Sequence, residues 1–272
     1  MIEKQLITKT KNKLLQKKYS GKTITTYLFY LKKYFEFLKT KKLKDNPKSV
    51  QIFLNQKKKE KLSTQSLNLI LNILIFFYTN VQTNVDKLEI KHHKTKDKRP
   101  QTLNELQIKK LLANTNNQKH YLVFALSYGS GLKISELVSL RVKDLDFENN
   151  LIKICNKQGK QIRTSILPTV LKDKLQQYIK TKKANSPLFP NTKGNKLTTR
   201  TLQQAFIRAL ARTKIKKQAS FQSLRHSFAT QVLESGVDKQ SLQKVLGLKN
   251  IRSIDKYKKN IKIENIRIKS PL

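Results

Sequence analysis

Residues 224–230 read Leu224-Arg225-His226-Ser227-Phe228-Ala229-Thr230, and Leu233-Glu234-Ser235-Gly236-Val237-Asp238 follows. The stretch lies in a helical pattern over 223–234, and a second helical pattern covers 238–246. Gly236 and Gly247 stand near the turns that bound this second helix. Arg225 is thus carried on a helix. Its planar guanidinium serves there either as a two-pronged phosphate anchor or as a salt-bridge residue.

Working outward, helical patterns also cover 104–113, 119–128, 134–140, 169–180 and 199–212. Among them stand two short strand-like runs, Leu151–Cys155 and 163–167. The turn Lys157-Gln158-Gly159-Lys160 joins them as a hairpin. Cys155, at a strand position, reads as a small buried apolar residue. Residues 1–90 read as four helices. Ile24, Tyr27, Leu28, Leu31, Tyr34, Phe35 and Leu38 keep the three-four spacing of an amphipathic helix, and Leu67, Ile70, Leu71, Leu74, Phe77 and Tyr78 repeat it. Weaker patterns cover 3–18 and 48–57. Aromatics at this spacing are read as core rather than as a base-stacking platform. Residues 91–100, KHHKTKDKRP, read as a basic extended linker. His92 and His93 have no Cys, Asp or Glu partners at ligand spacing, so a solvated linker is read there rather than a metal site. The expected architecture is mainly α with a small β-sheet, in two domains, 1–90 and 101–272, joined by that linker.

The chain of 272 residues is long enough to bury a real core. Its single cysteine leaves no intramolecular disulfide, as in a reducing compartment. The N-terminal MIEKQLITKTK has no apolar stretch, so no secretory signal is expected. The most apolar segment, 67–78, is interrupted by Asn68 and Asn72 and is too short to span a bilayer. Lys and Arg number 58 against 17 Asp and Glu, a formal net charge of +41. A compositional bias toward Lys explains part of the excess but not the scarcity of acids. Such a surface attracts polyanions at long range, nucleic acid first among them. No phosphate-cradling glycine loop, zinc spacing, GxSxG elbow or carboxylate pair is present, which disfavours nucleotide-driven and metal-dependent chemistry. No cofactor and no metal are expected.

Three segments, taken in order, resemble the signature boxes of the tyrosine recombinases, the Xer-like phage integrase family. The first is Tyr128-Gly-Ser-Gly-Leu-Lys133-Ile-Ser-Glu-Leu137-Val-Ser-Leu140 with Val142-Lys-Asp-Leu-Asp146; the second is the Leu224–Thr230 box; the third runs from Leu246-Gly247-Leu248 to Tyr257. The resemblance covers nearly the whole chain, and the helical first domain is similar to the family's core-binding domain. It implies a DNA strand cut by a tyrosine hydroxyl, conserved as a phosphotyrosine link without ATP, and rejoined by a DNA hydroxyl. Charge building on the phosphate is met by fixed cations, and the leaving 5′ oxygen needs a proton. By this resemblance Tyr257 is the nucleophile, Arg225 the second clamp arginine and Lys157 the hairpin general acid. His226 falls where the family has a mainly structural histidine.

Three matched positions depart from the pattern. Lys133 replaces the first clamp arginine and keeps charge without the planar fork. Gln222 replaces a histidine and cannot titrate. Leu248 replaces a histidine or tryptophan and has no donor. The resemblance further implies a C-shaped clamp around double-stranded DNA and a homo-tetramer, or a hetero-tetramer with a related recombinase, on paired sites. Ile261, Ile263, Ile266 and Ile268 would be the apolar side of an exchanged C-terminal segment. The expected location is the cytoplasm, on the nucleoid, with an organelle left open, and no membrane. Two other readings stand beside this one. The chain is a catalytically impaired relative that binds a DNA site as a partner, or a helix-turn-helix regulator built on residues 235–253.

Overall fold

The computed structural model describes residues 2–82, 90–94, 100–156, 158–255, 257 and 271–272. The chain divides into two compact units, Met1–Asp97 and Lys98–Leu272.

The first unit is four helices, α1 (Ile2–Gln16), α2 (Gly21–Thr40), α3 (Pro47–Lys59) and α4 (Thr64–Asn80). Their starts are written in the sequence: Ser20, Asn46 and Ser63 each accept a hydrogen bond from the backbone three residues on, and Pro47 fills the first turn of α3. The aromatic stripe is core. Leu31, Tyr34, Phe53, Leu71, Leu74 and Phe77 are all buried together. Two polar groups accompany it inward. Tyr34 Oη donates to Asp45 Oδ1 at 3.0 Å, Tyr78 Oη donates to the same oxygen, and the two hydroxyls lie 2.9 Å apart. The α2–α3 loop is thereby tied to α4. Asn68 and Asn72, which interrupt the apolar pattern, face the chain beyond α4: Asn68 exchanges two hydrogen bonds with the His93 backbone, and His92 Nε2 lies 2.7 Å from Asn72 Oδ1. His92 and His93 are thus hydrogen-bonded to α4, while Lys91, His92 and Lys94 stay exposed. Among the described residues no helix is long and apolar enough to cross a membrane.

The second unit holds α5 (Glu105–Ala113), α6 (Gln118–Ser130), α7 (Ile134–Leu137), β1 (Leu145–Asp146), β2 (Leu151–Cys155), β3 (Gln161–Ile166), α8 (Lys172–Ile179), α9 (Thr199–Arg212), α10 (Gln222–Glu234), α11 (Lys239–Leu246) and α12 (Arg252–Asp255). The strands form one antiparallel sheet in the order β1-β2-β3. α6 is the central helix, buried from Leu122 to Ser130, and it packs on α10. Leu103 N–H donates to Ser227 Oγ at 2.8 Å, which fixes the unit's first residues to α10.

Three details differ from the sequence expectation. The helix expected over 134–140 ends at Leu137, because Leu140 C=O takes the N–H of Leu188 and Arg141 bridges to Pro187. β1 and α12, two and four residues long, are too short to show a period. Cys155 is half-buried rather than enclosed, because it alternates with the buried Ile152 and Ile154 and so falls on the other face of β2.

Candidate active site

α10 supplies the centre of the site. Arg225 is 2% exposed, and its guanidinium is pinned by two main-chain carbonyls: Nη1 donates to Gly131 O at 2.7 Å and Nη2 to Leu246 O at 2.6 Å. Both carbonyls stand at helix C-termini, where partial negative charge favours a cation. Gly131 caps α6 and Gly247 caps α11, each in the left-handed conformation. Neither tolerates a side chain. A Cβ on Gly131 would stand 2.5 Å from the Phe228 ring, and one on Gly247 would stand 2.4 Å from Arg163 Cδ. Burial lowers Arg225 to about 10, with Glu136 opposing the shift. The group stays charged at neutral pH.

Glu136 organises the cations. Its Oε2 lies 2.7 Å from Arg163 Nη2 and 3.8 Å from Arg225 Nη1, while Oε1 lies 3.3 Å from Arg163 Nε and 3.9 Å from Lys133 Nζ. Its Oε2 also accepts the Lys133 backbone N–H at 2.7 Å, closing the first turn of α7. Arg163, on β3, donates from Nη1 to Val245 O as well, so the sheet is locked to α11. Three cations therefore surround one carboxylate, and the surplus positive charge suits a phosphate. Lys133 keeps its place in this group with its side chain 43% exposed. Burial lowers its ammonium below the usual lysine range, Glu136 opposes, and Arg225 and Arg163 add to the lowering.

Tyr257 follows α12, with its N–H on Ile254 O at 2.8 Å. It is 5% exposed and packs with Phe228, Val232, Leu246 and Ile254. Its hydroxyl lies 3.0 Å from His226 Nδ1, the two rings 5.5 Å apart and tilted by 44°. Burial raises the Tyr257 hydroxyl above the usual tyrosine range, and the Arg225 charge pulls it down. The Tyr257 hydroxyl and the Arg225 guanidinium thus sense each other's charge.

The remaining candidates are placed as follows. Gln222 opens α10, exposed, one turn before Arg225. Leu248 is half-buried and packs on the cluster that holds Tyr257, with its backbone N–H and C=O both engaged by Gln243. Lys157 lies outside the described residues, as do Ile261, Ile263, Ile266 and Ile268. Around position 157 the hairpin is held by Asn156, whose Oδ1 accepts from the N–H of Gln158 and of Lys160, and residues 158–160 are exposed. A cavity of about 330 Å³ separates this tip from α7, with Glu136, Arg141, Asn156 and Lys196 on its walls.

Two contributors were not marked by sequence. Arg163 appeared only as a strand residue, and its pairing with Glu136 spans 27 positions. His226 was assigned a structural role, yet its ring faces the Tyr257 hydroxyl from the residue after Arg225.

Comparison with known proteins identifies the family and the fold. The profile of the phage integrase family matches residues 101–262, and that of the phage integrase N-terminal SAM-like domain matches residues 6–85. Tyrosine recombinase XerA of Pyrococcus horikoshii is 31% identical over 244 residues, covering 88% of this chain and 84% of its own. The Tn1549 transposon integrase, solved with circular intermediate DNA, superposes with a TM-score of 0.75 at 21% identity, covering 94% of this chain and 96% of that one. A lambda integrase dimer bound to a COC′ core site gives a TM-score of 0.74 at 17% identity, covering 97% and 80%. The chain belongs to the phage integrase family, among the Xer-like tyrosine recombinases.

Proposed function

We propose that this chain cuts and rejoins double-stranded DNA at specific sites through a covalent 3′-phosphotyrosine intermediate, in integration, excision or dimer resolution. Tyr257 is the nucleophile. Arg225 and Lys133 bind the scissile phosphate and meet its growing charge. Lys157 protonates the leaving 5′ oxygen. The observation that carries this reading is the buried Tyr257 hydroxyl 3.0 Å from the ring of His226, the residue after Arg225, whose neighbours Arg163, Lys133 and Glu136 make a net-positive group. The chemistry needs neither metal nor cofactor.

The departing positions set the rate rather than the reaction. Each lost transition-state donor costs about 3–4 kcal/mol, and losses within one site are not additive. Slow cleavage is therefore expected of the chain as it stands. A helix-turn-helix regulator built on 235–253 is not favoured, because the family matches extend from residue 6 to residue 262.

Residues 1–90 act as the helical core-binding domain and residues 101–272 as the catalytic domain, both engaging duplex DNA. Two such sites are paired by a homo-tetramer, or by a hetero-tetramer with a related recombinase. The protein works in the cytoplasm on the nucleoid. With a net charge of +41, its DNA affinity falls steeply with added salt.

The test is a nicked duplex bearing a site that the protein itself selects from random sequence. The nick lets the cut strand diffuse away and traps the intermediate. A protein–DNA band on a denaturing gel that disappears in Tyr257→Phe supports the reading. Specific binding with no such band refutes it.

A further inference from the structure

A phenol attacks phosphorus well only as its proton leaves, and Tyr257 is buried where that loss is hard. Some group beside Oη has to take the proton. Gln222 cannot titrate and Leu248 has no polar side-chain atom. Arg225 is a donor only.

The geometry points to His226 as the general base: its Nδ1, 3.0 Å from Tyr257 Oη, receives the tyrosine proton as the attack proceeds. The assignment rests on the reading of Tyr257 as nucleophile given above. It requires the tautomer with hydrogen on Nε2, so that the Nδ1 lone pair faces the hydroxyl. The placement follows from the fold. His226 is the residue after Arg225 on α10, so one helical turn fixes both the phosphate clamp and the base. The Leu246 carbonyl that pins Arg225 ends α11, which with α12 delivers Tyr257 to the ring. Phe228 of α10, Leu246 of α11 and Ile254 of α12 are buried together with Tyr257, so the three helices meet at the nucleophile.

The step balances as follows. The oxygen of Tyr257 forms a bond to phosphorus, and the bond from phosphorus to the 5′ oxygen breaks with its electron pair on that oxygen. The tyrosine proton passes to Nδ1 of His226 and leaves an imidazolium. The 5′ oxygen takes a proton from the acid assigned to Lys157. A 3′-phosphotyrosyl ester and a 5′-hydroxyl result. In rejoining, the imidazolium returns its proton to the departing tyrosine oxygen.

The test compares full-length wild type, His226→Asn and Lys157→Ala in single-turnover cleavage of two nicked DNAs. One is ordinary, and in the other sulfur replaces the scissile 5′ oxygen. A thiolate leaves without a proton, so the acid becomes dispensable while the base does not. Asparagine puts a hydrogen-bonding oxygen close to the place of Nδ1 but cannot take a proton. His226→Asn is expected to cleave both DNAs about 100-fold more slowly than wild type, with unchanged DNA binding and unfolding midpoint. Lys157→Ala is expected to recover on the sulfur DNA. Three results overturn the proposal: His226→Asn within a few-fold of wild type, its rescue by sulfur, or a slowdown that tracks loss of folded protein and so assigns the ring to packing. Wild type that forms no covalent complex on either DNA refutes the nucleophile itself, a different outcome.

Discussion

The Glu136 carboxylate faces the Arg225 guanidinium across 3.8 Å, and the same oxygen holds Arg163 at 2.7 Å. One acid thus neutralises and orients two largely buried arginines. Removing the negative partner of a buried pair costs about 3–5 kcal/mol, because the charge left behind has no partner. Glu136→Gln is expected to lower folding stability by that order in urea denaturation and to slow DNA cleavage as Arg225 loses its bearing. A loss below about 1 kcal/mol would show the pair to behave like an exposed one.

In the proposed mechanism Lys133 takes the first clamp position with a point charge in place of a fork. Lys133→Arg restores two parallel donors and is expected to raise the cleavage rate by about 10- to 100-fold. The sign of its pH dependence follows from the lowered lysine. Burial favours the neutral amine, so Lys133 loses its charge below the usual lysine range, whereas arginine keeps it. The advantage of the variant should therefore grow as pH rises. A rate ratio that is flat or shrinking on the alkaline side contradicts this role.

Gly131 turns the chain out of α6 in the left-handed conformation while its carbonyl takes a hydrogen bond from Arg225. An alanine there meets both a strained backbone and the Phe228 ring at 2.5 Å. Gly131→Ala is expected to cost about 2–4 kcal/mol, read from the shift of the denaturation midpoint. The site should fail with the fold, so DNA cleavage should fall by more than DNA binding does.

In the first unit, Tyr34 and Tyr78 share Asp45 Oδ1. Burial holds both hydroxyls protonated far above the usual tyrosine range. In the unfolded chain they ionise near pH 10. Above that pH the unfolded state releases protons that the folded state keeps, so stability is full below about pH 10 and falls as pH rises past it. Denaturation midpoints measured across this range should fall less in Tyr34→Phe/Tyr78→Phe than in wild type. Parallel pH curves for the two proteins would exclude the network as the cause.

The helices of the first unit were readable because one face of each carries the core. Ile24, Tyr27, Leu31, Tyr34 and Leu38 are all buried in α2, at the spacing that announced them. α6 was harder to place, because it is buried on every side and shows no polar face, so periodicity alone does not reveal its central position. β1 and α12, two and four residues long, are too short to leave a periodic pattern. The site followed the same division. Arg225 and Tyr257 stood in recognisable boxes. Glu136–Arg163 and His226–Tyr257 exist only after 27 and 31 residues of chain have folded back. Arg163 was further hidden among 58 basic residues, any of which could have been a solvated charge.

The most direct measurement is the mass of the peptide that carries the DNA. Wild type is trapped on the nicked site, digested with nuclease and then with a protease that cuts after Asp and Glu, and the nucleotide-bearing fragment is sequenced by mass spectrometry. The nucleotide is predicted on Tyr257, within Lys256-Tyr257-Lys258-Lys259-Asn260-Ile261-Lys262-Ile263-Glu264. A nucleotide on any other residue, or a trapped complex that persists in Tyr257→Phe, would contradict the account.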